Sequence, residues 1–243
     1  MFTISIKPRH LLMVLLGIMA ALIAVSYLFM IVTVALGVDA AIVVSARKFF
    51  NIDAETNLPS WYSSTLLAVA GLSALEVGRQ KLVDRATWGW HWAVIGLGFL
   101  YLSLDELVSL HEELPVDWVP AVGPLKYAWV VIALPLALAA GLFYIRFLLA
   151  QPRRITRLLV LAAFFYLFGA AGFEMIGSTL SSAGVDEAGM LYGTSQHIEE
   201  AFEMTGVSIL LYVIALVQQS RRTAPDVVEL PRDQESTAPA SRA

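Results

Sequence analysis

The chain has 243 residues, of which 58% are hydrophobic and 15% charged, with a mean hydropathy of +0.71. Soluble domains carry about 25% charged residues, so this composition excludes an ordinary soluble domain and indicates an integral membrane protein. Cysteine is absent, which excludes disulfides, thiolate nucleophiles, iron–sulfur clusters and covalently attached haem. Any metal site must therefore use oxygen and imidazole ligands.

Six hydrophobic stretches are long enough, or nearly so, to cross a bilayer core, which needs roughly 20 residues. The sequence therefore predicts an all-α fold, a polytopic bundle of about six transmembrane helices within residues 1–218. Residues 219–243 are rich in Pro, Ala and Ser and are expected to form a disordered cytoplasmic tail. The spans are placed at about 11–37, 61–78, 88–110, 124–150, 157–180 and 191–218.

The connections between the spans alternate in charge. Lys and Arg are concentrated before the first span, after the second, after the fourth and after the sixth. The positive-inside rule then places both termini in the cytoplasm of a bacterial inner membrane. On this topology the inner side holds 13 of the 16 basic residues, and the outer side holds 14 of the 20 acidic ones.

Acidic side chains of three predicted spans reach one depth near the outer side. The third span begins near Trp88 and reaches Asp105 and Glu106 after about 26 Å of helix rise. That position lies in the outer part of a hydrocarbon core roughly 30 Å thick. The same counting brings acids of the fifth and sixth spans to that level, namely Glu174, Glu199, Glu200 and Glu203. Glu112 and Glu113, further along the chain, are expected among the headgroups.

Two histidines flank these acids. His197, Glu200 and Glu203 are spaced i, i+3 and i+6, so one broad face of the sixth span can present them together. His111 lies about 120° from Asp105 around a helix that turns 100° per residue. It can therefore join the acids only if the third helix frays before Pro115, or from a neighbouring direction.

Glu174 and Glu203 each occur in the pattern Phe-Glu-Met-x-Gly, in "GFEMIGSTL" and "AFEMTGVSIL". A Gly three residues after each Glu, together with Gly169 and Gly172, predicts that another helix approaches closely.

The acids of this layer carry an energetic cost. An ionised carboxylate at mid-membrane costs roughly 2.5–3.5 kcal/mol, and somewhat less near the interface. Five of them, charged, dry and unpaired, would cost on the order of 10 kcal/mol, comparable to the stability of a whole domain. Basic residues are scarce on this side, so these acids must be protonated, hydrated or bound to a cation. The five are Asp105, Glu106, Glu174, Glu200 and Glu203.

The first functional hypothesis is a divalent metal site for Zn, Mn or Fe, because carboxylates and imidazoles suit these ions. A metal-bound water with a carboxylate as general base would make the protein a membrane hydrolase or oxidoreductase for a lipid or lipid-linked substrate. The expected metal ligands are His111, Glu174, His197, Glu200 and Glu203. The expected catalytic residues are Asp105, Glu106, Glu174 and Glu203.

Two other classes of function remain open. Carboxylates on facing membrane helices also form proton relays and cation sites, which predicts a proton- or cation-coupled transporter or channel subunit. The third class is a non-catalytic membrane scaffold or assembly factor, in which the acids form structural hydrogen bonds. The expected partners are the lipid bilayer and a lipid-like small molecule, with oligomers allowed and no nucleic acid.

Three segments, "NIDAETNLPSWYSS", "LYLSLDELVSLHE" and "HIEEAFEMTG", resemble a group of uncharacterised bacterial six-span integral membrane proteins. The resemblance covers most of spans two to six. It implies the same membrane-helical fold, and it implies no activity and no catalytic residue.

Overall fold

The structure is a computed structural model that describes residues 6–111, 123–126 and 129–223, and within these ranges all regular elements are helical. The all-α prediction is confirmed. Two α-helices continue into π-helical segments, Ile31–Ala35 and Phe168–Phe173, and a 3₁₀ turn covers Gly123–Leu125. The α-helices are α1 (Pro8–Met30), α2 (Ala41–Phe50), α3 (Leu58–Val83), α4 (Gly89–Val108), α5 (Val130–Leu149), α6 (Arg153–Leu167), α7 (Glu174–Ser182) and α8 (Met190–Thr223).

Five helical stretches of the described chain are long and apolar enough to cross a membrane, which is one fewer than predicted from the sequence. The exception is α3, the predicted second span. It has 26 residues, but its many serines and its buried Glu76 keep it less apolar than the others. The five stretches are Pro8–Ala35, Gly89–Val108, Val130–Leu149, Arg153–Ser182 and Met190–Arg222.

The ends of the helices differ from the predicted span ends by at most six residues. Helix α8 continues to Thr223, five residues past the predicted span end at 218. The rest of that expected tail, residues 224–243, lies outside the described residues, and so do Glu112 and Glu113.

Helix α8 is the centre of the bundle and packs against α1, α3 and α6. Residues 206–215 are all buried, so this part of α8 is enclosed on every side, as expected for a central helix. Helix α1 runs antiparallel to it. Tyr27 lies 3.2 Å from the Thr194 hydroxyl, and Met19 accepts a hydrogen bond from Thr205 further along α8.

Helices α3 and α4 form an antiparallel pair with glycines at the crossing. A Cβ on Gly71 would lie 2.9 Å from the Gly96 carbonyl oxygen, and one on Gly96 would lie 2.8 Å from the Gly71 oxygen. A Cβ on Gly78 would lie 2.9 Å from the Gly89 oxygen. Small residues therefore allow the two backbones to touch, as in many membrane helix pairs.

The antiparallel packing gives the bundle two chemically different ends. The basic end contains the N-termini of α1, α4 and α6 and the C-termini of α3, α5 and α8. There Arg221 pairs with Asp84, and the Arg154 guanidinium donates to the Tyr212 hydroxyl at 2.8 Å. The acidic end contains the opposite helix termini, and the predicted acid layer lies in the half of the bundle nearest to it.

Candidate functional site: a buried carboxyl cluster

The structure brings together five glutamates of three helices, which we call the carboxyl cluster: Glu106, Glu174, Glu199, Glu200 and Glu203. Their charges are close enough to interact: Glu200 with Glu106, Glu203 with Glu106 and Glu174, and Glu199 with Glu174. Glu199 is buried and the other four are half-buried, so the group lies within the bundle. Those four are site residues predicted from the sequence, and Glu199 of the same acid layer joins them.

Two carboxyl groups of the cluster face each other. The Glu174 and Glu199 side chains are neighbours between α7 and α8, close enough for the two carboxyl groups to interact, and Glu199 Oε2 is buried without a hydrogen-bond partner among the described atoms. Since an ionised carboxylate can only accept hydrogen bonds, the two groups can bond to each other only when one of them carries a proton. The indole Nε1 of Trp129 donates a hydrogen bond to Glu174 Oε1 at 3.2 Å, which fixes the outer side of the pair.

A π-helical segment places Glu174 against α8. The segment Phe168–Phe173 ends directly before Glu174. A π turn contains one more residue than an α turn, so it rotates every later side chain by about 100°, the angle of one residue. Gly169 within the segment lets α8 approach: a Cβ there would lie 2.7 Å from Glu203 Cγ and 3.1 Å from the Glu199 carbonyl oxygen.

Helix α3 holds the other side of the cluster. The Ser63 side chain lies beside the Glu106 carboxyl group, close enough to interact with it. The next residue, Ser64, and Ser103 of α4 each donate their hydroxyl to the other's carbonyl oxygen at 2.8 Å. These reciprocal bonds set the register of α3 against α4 and thereby the position of Glu106.

Asp105 lies close enough for its charge to act on Glu106 and Glu203, and its carboxyl group binds His111. Helix α4 ends at Val108, and Ser109 adopts a left-handed conformation with φ of 51°, which turns the chain back. His111 then donates its backbone N–H to Asp105 Oδ1 at 2.8 Å, and its Nδ1 lies 2.9 Å from Oδ2. The early helix end that His111 needed is therefore present. Its ring also meets the Trp129 ring, with 5.1 Å between centroids.

His197, a predicted metal ligand, faces α1 and not the carboxyl cluster. Its Nε2 lies 2.9 Å from the Ser26 hydroxyl, and its Nδ1 lies 2.6 Å from the Gly193 carbonyl oxygen. The edge of the ring packs on Tyr27. Both ring nitrogens thus have protein partners, so the structure does not bring His197 together with the glutamates, and its role as a metal ligand stays a prediction.

Across the parts of the chain that the structure describes, no three His, Asp or Glu side chains are arranged to hold a metal ion. The two histidines explain part of this result, since His111 is bound to Asp105 and His197 to α1. The five expected ligands are therefore not assembled as one group.

Several contributors to the site were not identified from the sequence: Trp129, Ser63, Tyr166 and Gln196. Tyr166 lies near enough to Glu203 and Glu106 for their charges to act on it, and Gln196 donates to Asp53 at 3.0 Å. Ser63 had a detectable signal, because serines at 60, 63 and 64 form a polar stripe along the first turns of α3. Trp129 had no such signal in the sequence, because α5, the helix that it precedes, contains no acidic residue.

A bundle of long apolar helices around a buried polar cluster is the architecture of a multi-pass α-helical membrane protein. The chain belongs to a family described as a domain of unknown function, DUF8692, whose model matches residues 13–218. The match includes all five cluster glutamates. No curated protein and no solved structure is significantly similar to the chain.

Proposed function

We propose that this protein binds and releases protons at the carboxyl cluster, as the coupling site of a proton-coupled membrane transporter. The observation that carries this proposal is the pairing of the Glu174 and Glu199 carboxyl groups within a cluster of five buried or half-buried glutamates. A proton shared by two carboxyl groups is bound by the pair, and it can leave whenever water reaches either oxygen. Buried acids on facing membrane helices are the usual elements of proton relays.

The charge balance around the cluster favours protons as its counter-charge. Like charges held close together in a poorly hydrated site cannot all be ionised. Among the described residues, the ion pairs of Lys, Arg and His involve Glu76, Asp84, Asp105 and Glu187, and none involves a cluster glutamate. Bound protons therefore supply the positive counter-charge that basic side chains do not provide to these glutamates.

The direction of exchange follows from the position of the cluster. Its five members lie in the half of the bundle nearest the acidic end, where four of them remain half-buried. We propose that α3 is a sixth span beside the five apolar ones, with both termini cytoplasmic in a bacterial inner membrane. On that topology the cluster exchanges protons with the extracytoplasmic side.

Metal binding and action on a lipid-like substrate stay predictions from the sequence. No described geometry favours them over proton binding, because His111 and His197 are bound elsewhere. Elemental analysis of the purified protein under metal-replete conditions tests them. A stoichiometric metal that is lost in a Glu203→Gln variant would replace protons as the counter-charge.

The proton proposal is tested by a pH jump on the purified full-length protein in detergent. Protons taken up per chain are counted with a soluble pH indicator, for the wild type and for Glu200→Gln and Glu203→Gln. Glu187→Gln is the matched control, since Glu187 is exposed and outside the cluster. We expect both cluster variants to take up fewer protons than the control. Equal uptake by all the proteins would contradict the proposal.

A further inference from the structure

Three fully buried polar atoms lie in the half of the bundle between the carboxyl cluster and the basic end. They are the hydroxyls of Ser73 on α3 and Ser208 on α8 and the indole N–H of Trp92 on α4. Each residue is 0% exposed, and each of these atoms forms no hydrogen bond to any described protein atom. A buried polar atom without a partner costs about 1–3 kcal/mol, so native proteins normally satisfy such atoms with protein or bound water.

The two serines differ from other hydroxyls on the helices of the bundle. A helical Ser or Thr commonly donates its hydroxyl to the carbonyl four residues earlier. Thr194 does so at 2.7 Å, Thr179 at 2.7 Å and Ser220 at 2.9 Å. Ser73 and Ser208 do not, so their hydroxyls are available to a small polar ligand inside the bundle.

The three atoms are spread along the depth of the bundle. Ser208 lies eight residues beyond Glu200, about 12 Å further towards the basic end at 1.5 Å per residue. Ser73 lies ten residues beyond Ser63, which corresponds to about 15 Å of helix rise. Trp92 lies fourteen residues before Glu106 on α4, which corresponds to about 21 Å. Three helices therefore contribute one unsatisfied atom each, at increasing distance from the cluster.

A carboxylate lies at the far end of this series. Glu76 is 8% exposed and follows Ser73 by three residues, so both lie on one side of α3. Arg79 binds the Glu76 carboxylate through two nitrogens at 2.9 and 2.8 Å, and Gln80 donates to it at 2.7 Å. Since the Arg79 side chain is mostly exposed, this group connects the interior with the solvent at the basic end.

We propose that water molecules bound at Ser208, Ser73 and Trp92 form a proton path from the carboxyl cluster to Glu76. Proteins hold on the order of one buried water per 27 residues, and these waters typically bind buried polar groups that lack protein partners. A proton leaves a cluster O–H and forms a new O–H bond on the first water, which passes one of its own protons to the next. The last water passes a proton to the Glu76 carboxylate at the end of the path. This inference rests on the proposed function, because the path gives protons of the cluster a second exit, towards the basic end of the bundle.

The test is proton flux into liposomes that contain the full-length protein and a pH-sensitive dye. We expect Ser73→Ala and Ser208→Ala to reduce the rate at least tenfold while proton uptake in the pH-jump assay stays at the wild-type level. Ser178→Ala is the matched control, because the Ser178 hydroxyl is equally buried but donates to the Gly123 carbonyl oxygen at 2.7 Å. Wild-type flux in both test variants would overturn the path. Normal uptake with no flux in the wild type would also overturn it and leave the proposed function intact.

A second measurement needs no variant and so does not depend on variant folding. In radiolytic footprinting, hydroxyl radicals formed from bound water label the nearest side chains. We expect Trp92 to be labelled in the folded wild type although it is 0% exposed. An unlabelled Trp92 in a sample whose surface residues are labelled would contradict bound water at this depth.

Discussion

Gly169 is the position where the fold and the carboxyl cluster depend most directly on each other. In Gly169→Ala the new Cβ would lie 2.7 Å from Glu203 Cγ, 3.0 Å from the Glu203 nitrogen and 3.1 Å from the Glu199 oxygen. Two of these are backbone atoms of the central helix, so the π segment and α8 must move apart. We expect this overpacking to lower the free energy of unfolding by about 1–3 kcal/mol.

The assay is equilibrium unfolding in mixed detergent micelles, with Gly98→Ala as the control. Gly98 is an exposed residue of α4 and has no neighbouring atom within 4 Å of an added Cβ. Its replacement by Ala should stabilise the protein by about 0.5–1 kcal/mol, since Gly is unfavourable within a helix. Gly169→Ala should also reduce proton uptake, because it displaces Glu203 and Glu199. If the two variants have equal stability, α8 does not approach the π segment as closely as described.

Two further predictions concern interactions outside the cluster itself. Ser64→Ala removes the hydroxyl that donates to the Ser103 carbonyl oxygen and should cost about 1 kcal/mol of unfolding free energy, whereas an unchanged value would show that this bond does not hold α3 to α4. The Lys126 ammonium and the Ser181 hydroxyl lower the pKa of Glu187 below its ordinary value of 4.5. The ionised Glu187 therefore stabilises the folded state above pH 4.5, and this stabilisation is lost as the pH falls below 4.5. The thermal midpoint of the wild type should therefore fall more steeply below pH 4.5 than that of Glu187→Gln, and parallel curves would contradict the ion pair.

Counting helix rise from the sequence was sufficient to predict which acids share a depth. Asp105, Glu106, Glu200 and Glu203 were placed from separate spans, and the structure brings the three glutamates into one group. This works because the rise of 1.5 Å per residue hardly varies along a regular helix. The same regularity explains why the helix ends differ from the predicted spans by only a few residues.

The side that each residue faces was harder to predict, because it depends on breaks in regularity and on tertiary partners. The π turn before Glu174 leaves the depth of this residue nearly unchanged but rotates it towards Glu199. His197 lies on a helix face that the spacing assigns to the glutamates, yet Ser26 of a distant segment holds it on the other side. His111 depended on where α4 ends, and the left-handed Ser109 sets that end.

The central claim is that the cluster holds an exchangeable proton, and infrared spectroscopy of the purified full-length protein tests it most directly. A protonated carboxyl group gives a C=O stretching band that is separate from carboxylate bands and shifts when H₂O is replaced by D₂O. At neutral pH the wild type should show this band, and Glu199→Gln, which removes one partner of the Glu174–Glu199 pair, should lose intensity in it. A wild-type protein without the band, or a band of equal intensity in Glu199→Gln, would contradict the proton-binding cluster.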